Sequence, residues 1–442
     1  MLKKAPYRCG AFFTIFLQGK GRKSDKIACM MKRKAKEVYS KVKNNLREEA
    51  GHQKSSWKSV MEVLLVSAKL GVTSFGGPIA HLGYFHNEYI RRRKWMDEQS
   101  YADLVALCQF LPGPASSQVG IGIGIMRAGL WGGVAAWLGF TLPSVLALLI
   151  FAFTLQGVDS GSASWIHGLK LVAVAIVAHA VWGMGQKLAP DRTRVTIAIT
   201  AAAITLLWHS AWSQVTVMIL AGIAGLLFFR QPKVSDFPEF RVPISRALAI
   251  ACWIVFFGLL LVLPILREST GVSLLALFES FYRAGSLVFG GGHVVLPLLE
   301  REVIPTGWVT QEAFLTGYGA TQAVPGPLFT FATYLGALIA GGVGAIVATI
   351  AIFLPAFLLV IGALPFWNAL RRNSKIQGML IGVNAAVVGI LLAALYDPIW
   401  TSTILAPMDF IVTAILFIML EHWKLPPWLV VVTGALYGLL LS

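Results

Sequence analysis

From Val60 almost to the last residue, long apolar blocks alternate with short polar clusters. A helix needs roughly 20 residues to cross a hydrocarbon core of about 30 Å. Apolar blocks near or approaching that length occupy 129–155, 165–186, 195–208, 212–229, 247–266, 341–364, 376–396, 403–420 and 426–441, the shortest being 195–208. Barrel strands alternate with period two over about ten residues, and no such pattern is present here, so the blocks predict helices. Four further segments are apolar but interrupted. Residues 57–75 break at Gly76-Gly77-Pro78 and resume through Glu88, and 101–126 break at Pro112-Gly113-Pro114. Residues 273–289 and 314–338 break in the same way.

The interruptions are duplicated. Phe75-Gly76-Gly77-Pro78 returns 214 residues later as Phe289-Gly290-Gly291-Gly292. Gln109-Phe110-Leu111-Pro112-Gly113-Pro114 returns 213 later as Gln322-Ala323-Val324-Pro325-Gly326-Pro327, and Gly129, Gly132 and Pro143 return 212 later as Gly341, Gly344 and Pro355. Three anchors in one order with offsets drifting by two residues indicate an internal duplication.

This organisation predicts an all-α polytopic membrane protein with two repeats of about six segments joined by one extra helix. The expected divisions are a basic cytoplasmic tail over 1–56, a first membrane repeat over 57–230, a linker loop and connecting helix over 231–272, and a second repeat over 273–442. Six segments plus one make the second repeat start from the opposite side, which gives inverted topology as in many secondary transporters. If the broken segments dip in and return as re-entrant hairpins, the basic clusters at 91–94, 187–194, 230–246 and 371–375 all lie on the tail's side. That satisfies the positive-inside rule for a multi-pass plasma-membrane protein with a cytoplasmic N-terminus. Full crossings would put Arg91–Lys94 outside.

Composition agrees with this class: 56% of residues are hydrophobic, 13% are charged and mean hydropathy is +0.70. The net charge of +16 is concentrated in residues 1–58, which hold 16 of 37 Lys and Arg but only 4 of 21 Asp and Glu. The plain reading is a solvated tail attracted to anionic lipids rather than to nucleic acid. Residues 11–17 are too short an apolar run for a signal peptide. The cysteines at 9, 29, 108 and 252 lack ligand-like spacing, so neither a metal site nor a disulfide framework is expected. No phosphate-binding loop, catalytic triad, zinc spacing or dinucleotide fingerprint is present, so neither an enzyme nor a bound cofactor is expected.

Candidate chemistry gathers at the breaks. Gly and Pro free backbone groups that lipid cannot satisfy, and such segments persist only where protein or a water-filled cavity covers them. A helix restarting after a break offers unpaired N–H groups and the positive end of its dipole to an anion. Gly76, Gly77, Pro78, Pro112, Gly113 and Pro114, with Gly290, Gly291, Gly292, Pro325, Gly326 and Pro327, are therefore candidate substrate residues, with Phe75 and Phe289 beside them. Lys69 and Arg283 each lie six residues before those phenylalanines, as oxyanion ligands or as snorkelling anchors. Gln109 and Gln322 offer amide donors three residues before Pro-Gly-Pro. Glu88 and Glu302 coincide between repeats, as proton carriers or as partners of nearby Arg. His81, His293, Lys170 and Asn384 are weaker candidates, each with a structural reading beside the functional one. Gly129, Gly132, Gly341 and Gly344 read as close helix packing.

FGGP, a basic loop ending in Trp95, and QFLPGP, repeated as FGGG, Trp308 and QAVPGP, together resemble the long-chain chromate ion transporter family across about residues 57–442. The resemblance implies export of chromate, a tetrahedral divalent oxyanion, with chromate resistance, driven by membrane potential or a proton gradient. Its motif residues carry over onto the duplicated breaks. Sulfate uptake and a passive anion channel stay open as alternatives, and a homo-oligomer is possible. The Lys-rich tail and Ser100-Tyr101, which face Ala313-Phe314 in the second repeat, depart from the pattern without touching the breaks.

Overall fold

The computed structural model describes residues 57–156, 164–208, 211–229, 244–271, 273–289, 292–367 and 373–440; the expectations for the 1–56 tail and for Gly290 and Gly291 lie outside them. The membrane unit begins at Trp57. Among the described residues there is no strand.

Breaks and caps set the first helices. Helix α1 (Trp57–Thr73) stops before Gly76, whose φ of 97° favours glycine. Helix α2 (Gly77–Phe85) carries Pro78 in its first turn, where a missing N–H costs nothing, and runs on as a π-helical segment over His86–Arg92. Glu62 meets Arg93 at 3.2 Å, Ser67 meets Tyr89 at 2.9 Å and Lys69 meets Glu88 at 3.2 Å. Those pairings run antiparallel, so α1 and α2 form a hairpin whose open ends lie together. Helix α3 (Glu98–Phe110) starts at Asp97, whose carboxylate caps the Ser100 amide at 2.9 Å. After Pro112-Gly113-Pro114 the chain turns into α4 (Ala115–Gln156), and Gly122 faces Leu104 of α3 as the second hairpin requires.

Helix α4 itself is folded in two. Ala128 and Gly129 leave helical geometry, Gly129 with φ 67°, and Gly124 packs against Gly132. Eight residues along a straight helix would separate those glycines by about 12 Å. The close-packing reading of Gly132 therefore holds, and Gly129 is the turn itself.

Helices α5 (Ser164–Leu188), α6 (Arg192–Leu207), α7 (Ala211–Phe228) and α8 (Arg246–Thr270) follow, with Asp191 and Ser245 capping α6 and α8. The pattern then repeats. Helices α9 (Ser273–Leu287) and α10 (Val295–Val303) are tied by Arg283–Glu302 at 2.6 Å, the counterpart of Lys69–Glu88. Helix α11 (Gln311–Thr321) is capped by Thr310, the counterpart of Asp97. Helix α12 (Phe331–Ala363) folds at Ala340–Gly341 with almost the same angles as α4, and Thr333 meets Thr349 at 2.7 Å across the bend. Helices α13 (Ser374–Ala394, continuing to Trp400), α14 (Pro407–Glu421) and α15 (Pro427–Leu440) complete the chain.

Among the described residues, five segments are long and apolar enough to cross a membrane: 115–155, 165–188, 246–269, 328–366 and 375–400. The first and fourth contain the bends at Gly129 and Gly341. The halves interlock. Gly378 and Gly382 of α13 seat against Gly225 and Ala221 of α7, and Gly389 against Ala198 of α6. Reciprocally, Gly168 of α5 seats against Gly434 of α15, while His167 and His179 of α5 meet Asp409 at 2.7 Å and Glu421 at 3.0 Å on α14. Large side chains such as Leu65, Trp131, Ile150, Ile254 and Ile346 stay exposed, as a lipid-facing belt requires.

Candidate functional site

The four breaks meet. The Gly113 amide donates to the Val288 carbonyl at 2.6 Å, and the Gly326 amide donates to the Ser74 carbonyl at 3.0 Å. Each bond joins a Pro-Gly-Pro turn of one half to the residue preceding FGG in the other half. The two bonds are counterparts, since 113 maps on 326 and 74 on 288. Gly113 and Gly326 hold φ of 110° and 103°, conformations a side chain rarely adopts. A Cβ on Gly326 would also stand 2.8 Å from Ser144 Oγ. Gly292 touches Pro78 and Leu328, closing the same junction from the second half.

Around this crossing lie buried polar atoms without protein partners: Ser74 Oγ, His81 Nε2, Ser117 Oγ, Gln118 Oε1, Thr141 Oγ1 and Gln322 Nε2. Short links hold them together. His81 places Nδ1 3.3 Å from Ser116 Oγ and sets its ring edge-on to Phe140 at 5.3 Å. Gln118 Nε2 donates to the Pro112 carbonyl at 2.7 Å. Gly326 lies against both Phe140 and Ser144. A buried donor left unpaired costs about 1–3 kcal/mol, so the donors of this set, on Ser74, His81, Ser117, Thr141 and Gln322, mark a place where something else supplies acceptors, while Gln118 Oε1 is itself an acceptor. Hydroxyls, an amide NH2 and an imidazole can all donate to oxyanion oxygens.

The duplicated candidates fare unequally. Gln322 is buried with an unpartnered amide nitrogen, whereas its counterpart Gln109 is exposed. Lys69 and Arg283 are both engaged by carboxylates. Glu88, buried at 7% side-chain exposure, accepts from Lys69 at 3.2 Å, Arg93 at 3.0 Å and Arg92 at 3.4 Å. Arg283 reaches Glu302 at 2.6 Å and Glu279 at 3.0 Å, and Arg267 shares Glu279 at 2.8 Å. Of the weaker candidates, Lys170 pairs with Glu312 at 2.9 Å and His293 bonds the Tyr318 hydroxyl at 2.7 Å. Guanidinium groups also cap the duplicated tryptophans, Arg93 and Arg127 over Trp95 and Arg267 over Trp308.

Sequence reasoning missed Ser74, Ser117, Gln118 and Thr141. The counterparts of Ser74, Gln118 and Thr141 are Val288, Phe331 and Phe353, so a search for duplicated polar residues passes over those three, while Ser117 faces Thr330, a pair of common small hydroxyl residues outside the quoted motifs. The signal open to it was the opposite one: polar residues facing apolar counterparts beside a duplicated break.

A duplicated set of helical hairpins crossing at Gly-Pro breaks over a polar centre, among helices long and apolar enough to cross a membrane, defines a polytopic membrane protein, and no His/Cys/Asp/Glu group able to hold a metal exists among the described residues. The chain belongs to the chromate transporter family, whose family model matches residues 61–226 and again 275–439. It is similar to the chromate transport protein of Pseudomonas aeruginosa, at 28% identity over 332 residues, 74% of this chain and 78% of that protein. A probable chromate transport protein of Synechococcus elongatus is 30% identical over 349 residues, 78% of this chain and 84% of its own. The uncharacterized transporter YwrB of Bacillus subtilis is 34% identical over 167 residues, which make 35% of this chain but 81% of that protein. No solved structure matches the chain.

Proposed function

We propose that this protein is a secondary transporter that carries chromate outward across the plasma membrane and confers chromate resistance, with the crossing of the four breaks as its oxyanion site. The observation that carries the reading is the set of buried, unpartnered donors on Ser74, His81, Ser117, Thr141 and Gln322 around the paired bonds Gly113–Val288 and Gly326–Ser74. Helix starts at Gly77 and Ala115 add first-turn N–H groups. Lys69 and Arg283 flank the site, where their carboxylate partners make them clamps of the two hairpins and Glu88 and Glu302 the clamps' other jaws.

Inverted repeats are part of this reading. Trp137 on α4 packs against Phe353 and Phe357 on α12, and Phe151 against Tyr334. Trp137, just past the bend of α4, thus meets residues well past the bend of α12, while Phe151, near the end of α4, meets Tyr334, whose neighbour Thr333 lies across the bend from Thr349, which supports the post-bend arms running in opposite directions. Re-entrant hairpins put Arg91–Lys94 on the tail's side, which supports a cytoplasmic N-terminus.

The decisive assay is radiolabelled chromate and sulfate flux into inverted vesicles, with and without a proton gradient, for the wild type and Gln322→Leu. Saturable chromate uptake, weakened at least about tenfold by the substitution, is expected. One lost charge-neutral donor plus an apolar wall against the anion is worth about 1.4 kcal/mol or more. Flux that does not saturate would make the protein a channel, and sulfate transport without chromate transport would replace the substrate.

A further inference from the structure

The carboxyls that coincide between the halves are engaged by cations, Glu88 by Lys69 and Arg93 and Glu302 by Arg283. Glu300, two residues before Glu302 on α10, is not. It is buried at 6% exposure and accepts from the neutral Gln311 amide at 2.8 Å, and among the described residues no cation bonds it. Beside it, where α6 and α13 meet α10, lies a cavity of about 440 Å³ with Thr205, Gln214, Arg301 and Asp397 also in its wall. A polar space of that size holds water.

The duplication shows what is particular about this carboxyl. By the same offsets that relate the two halves, 214 and 213, Glu300 maps on His86 and Gln311 on Glu98. His86 meets Glu98 at 2.6 Å, so the same contact ties the hairpin to the following helix in both halves. The first half makes it from an imidazole and a carboxylate, which can balance each other's charge. The second half sets a carboxyl opposite an amide, which cannot. A hydrogen bond is what the fold needs at this point, and an ionisable group without a counter-ion goes beyond that need.

The surrounding charges do not fill the counter-ion's place. Arg301 and Asp397 are the charges that reach Glu300, and they act in opposite senses. Both carry interactions of their own, those of Arg301 with the Thr205 carbonyl at 3.0 Å and the Ser213 hydroxyl among them. On α9, Glu279 and Arg283 are committed to a cluster with Arg267 and Glu302, and on α11 Glu312 is paired with Lys170 at 2.9 Å. The residues that α6 and α7 present here, Thr205, Ser213 and Gln214, are uncharged. A carboxylate taken from water without a bonded cation is costly, and a proton drawn from the cavity's water removes that cost.

We propose that Glu300 is a proton-binding site of this transporter, filled from water in the cavity, and that it holds its proton while an oxyanion occupies the crossing. The inference rests on the transport reading above. The chain enters α10 from Gly292, which touches Pro78 and Leu328 at the crossing. Glu300 follows two turns later, about 12 Å along the helix axis. An oxyanion at the crossing and an ionised Glu300 are like charges separated by protein of low dielectric, so each disfavours the other. Linkage is reciprocal: the bound anion tightens the proton's hold on Glu300, and the proton strengthens the anion's binding.

The test uses the purified full chain with sulfate as the probe. Sulfate binding in weakly buffered solution should take up protons, read by a pH dye, and sulfate affinity should fall severalfold from mildly acid to alkaline buffer. Glu300→Gln keeps a side-chain hydrogen bond to Gln311 available and should remove most of the uptake and most of the pH dependence. His81 at the crossing can also take up a proton, so the difference between wild type and Glu300→Gln decides. A hydrophobic carbodiimide, which reacts with a carboxyl in its protonated form, gives a second reading that needs no variant. Peptide mapping should find its adduct on Glu300, formed faster in acid than in alkaline buffer and faster again with sulfate present. Sulfate bound without proton uptake, uptake unchanged by Glu300→Gln, or an adduct absent from Glu300 would overturn the proposal. No sulfate binding at all, with pH-dependent labelling of Glu300 intact, would count against the transport reading and leave the proton site standing.

Discussion

Replacing Lys69 and Arg283 in turn by Met separates what the duplicated ion pairs do. Their counterpart positions suggest equal effects, but their surroundings differ. Lys69 is half exposed, and Glu88 keeps Arg93 at 3.0 Å and Arg92 at 3.4 Å after its removal. Exposed pairs of that kind contribute about 0–1 kcal/mol. Arg283 is 23% exposed and faces Glu302 at 12% and Glu279 at 2%. Arg267 continues to hold Glu279 at 2.8 Å, whereas Glu302 loses its 2.6 Å ion pair and keeps only the neutral Ser280 hydroxyl and the more distant charge of Arg267. Removing one partner of a buried pair costs about 3–5 kcal/mol, whereas replacing both is often neutral. Arg283→Met should therefore destabilise the protein by about 3 kcal/mol more than Lys69→Met does. Adding Glu302→Gln should restore most of the loss, with a coupling energy of at least about 2 kcal/mol in a double-mutant cycle. Denaturant titration in mixed micelles measures the stabilities, and sulfate binding to the same samples measures the site. If Arg283 clamps the hairpin, the folded double variant binds sulfate within about threefold of the parent. A loss of about tenfold or more, equivalent to 1.4 kcal/mol, would make Arg283 a direct ligand, and equal destabilisation by Lys69→Met and Arg283→Met would refute the burial argument.

Two further outcomes are expected. Gly326→Ala meets both an unfavourable φ of 103° and Ser144 Oγ at 2.8 Å, whereas Gly77→Ala, with φ 78° and open space around it, meets strain alone. Thermal unfolding in detergent should show a cost of about 1–2 kcal/mol for Gly77→Ala and clearly more for Gly326→Ala, and similar values would deny the tight junction. Cysteines at positions 93 and 372 should be labelled only from the cytoplasm and one at 271 only from outside, while external labelling at 93 would replace re-entrant hairpins by full crossings.

Much of the fold was legible because its most demanding points can be met by few residues. Gly113, Gly129, Gly326 and Gly341 adopt positive φ, and duplicated glycines and prolines therefore report a duplicated backbone directly. The ion pairs were half legible. Lys69, Glu88, Arg283 and Glu302 each stood out as charge in an apolar setting, but only the antiparallel hairpins bring them into pairs. The polar lining was hardest to see. A serine or threonine within a membrane helix usually bonds its own backbone, as Ser286 and Thr349 do here at 2.7 and 2.6 Å. Nothing local distinguishes Ser74 or Thr141, whose hydroxyls have no partner. Gln109 shows the converse, since its motif is duplicated while its burial is not.

The exchange of hairpins between halves has a consequence for synthesis. Helices α6 and α7 leave the ribosome well before α13, against which Ala198, Ala221 and Gly225 pack. At about 5–20 residues per second, the stretch from residue 228 to 374 keeps those seats waiting for roughly 7–30 s. During that interval these small, nearly uncharged faces are without the helix they pack against. The first half thus enters the bilayer as an open clasp that the second half shuts, so a premature stop before α13 leaves α6 and α7 without the helix that fills their seats.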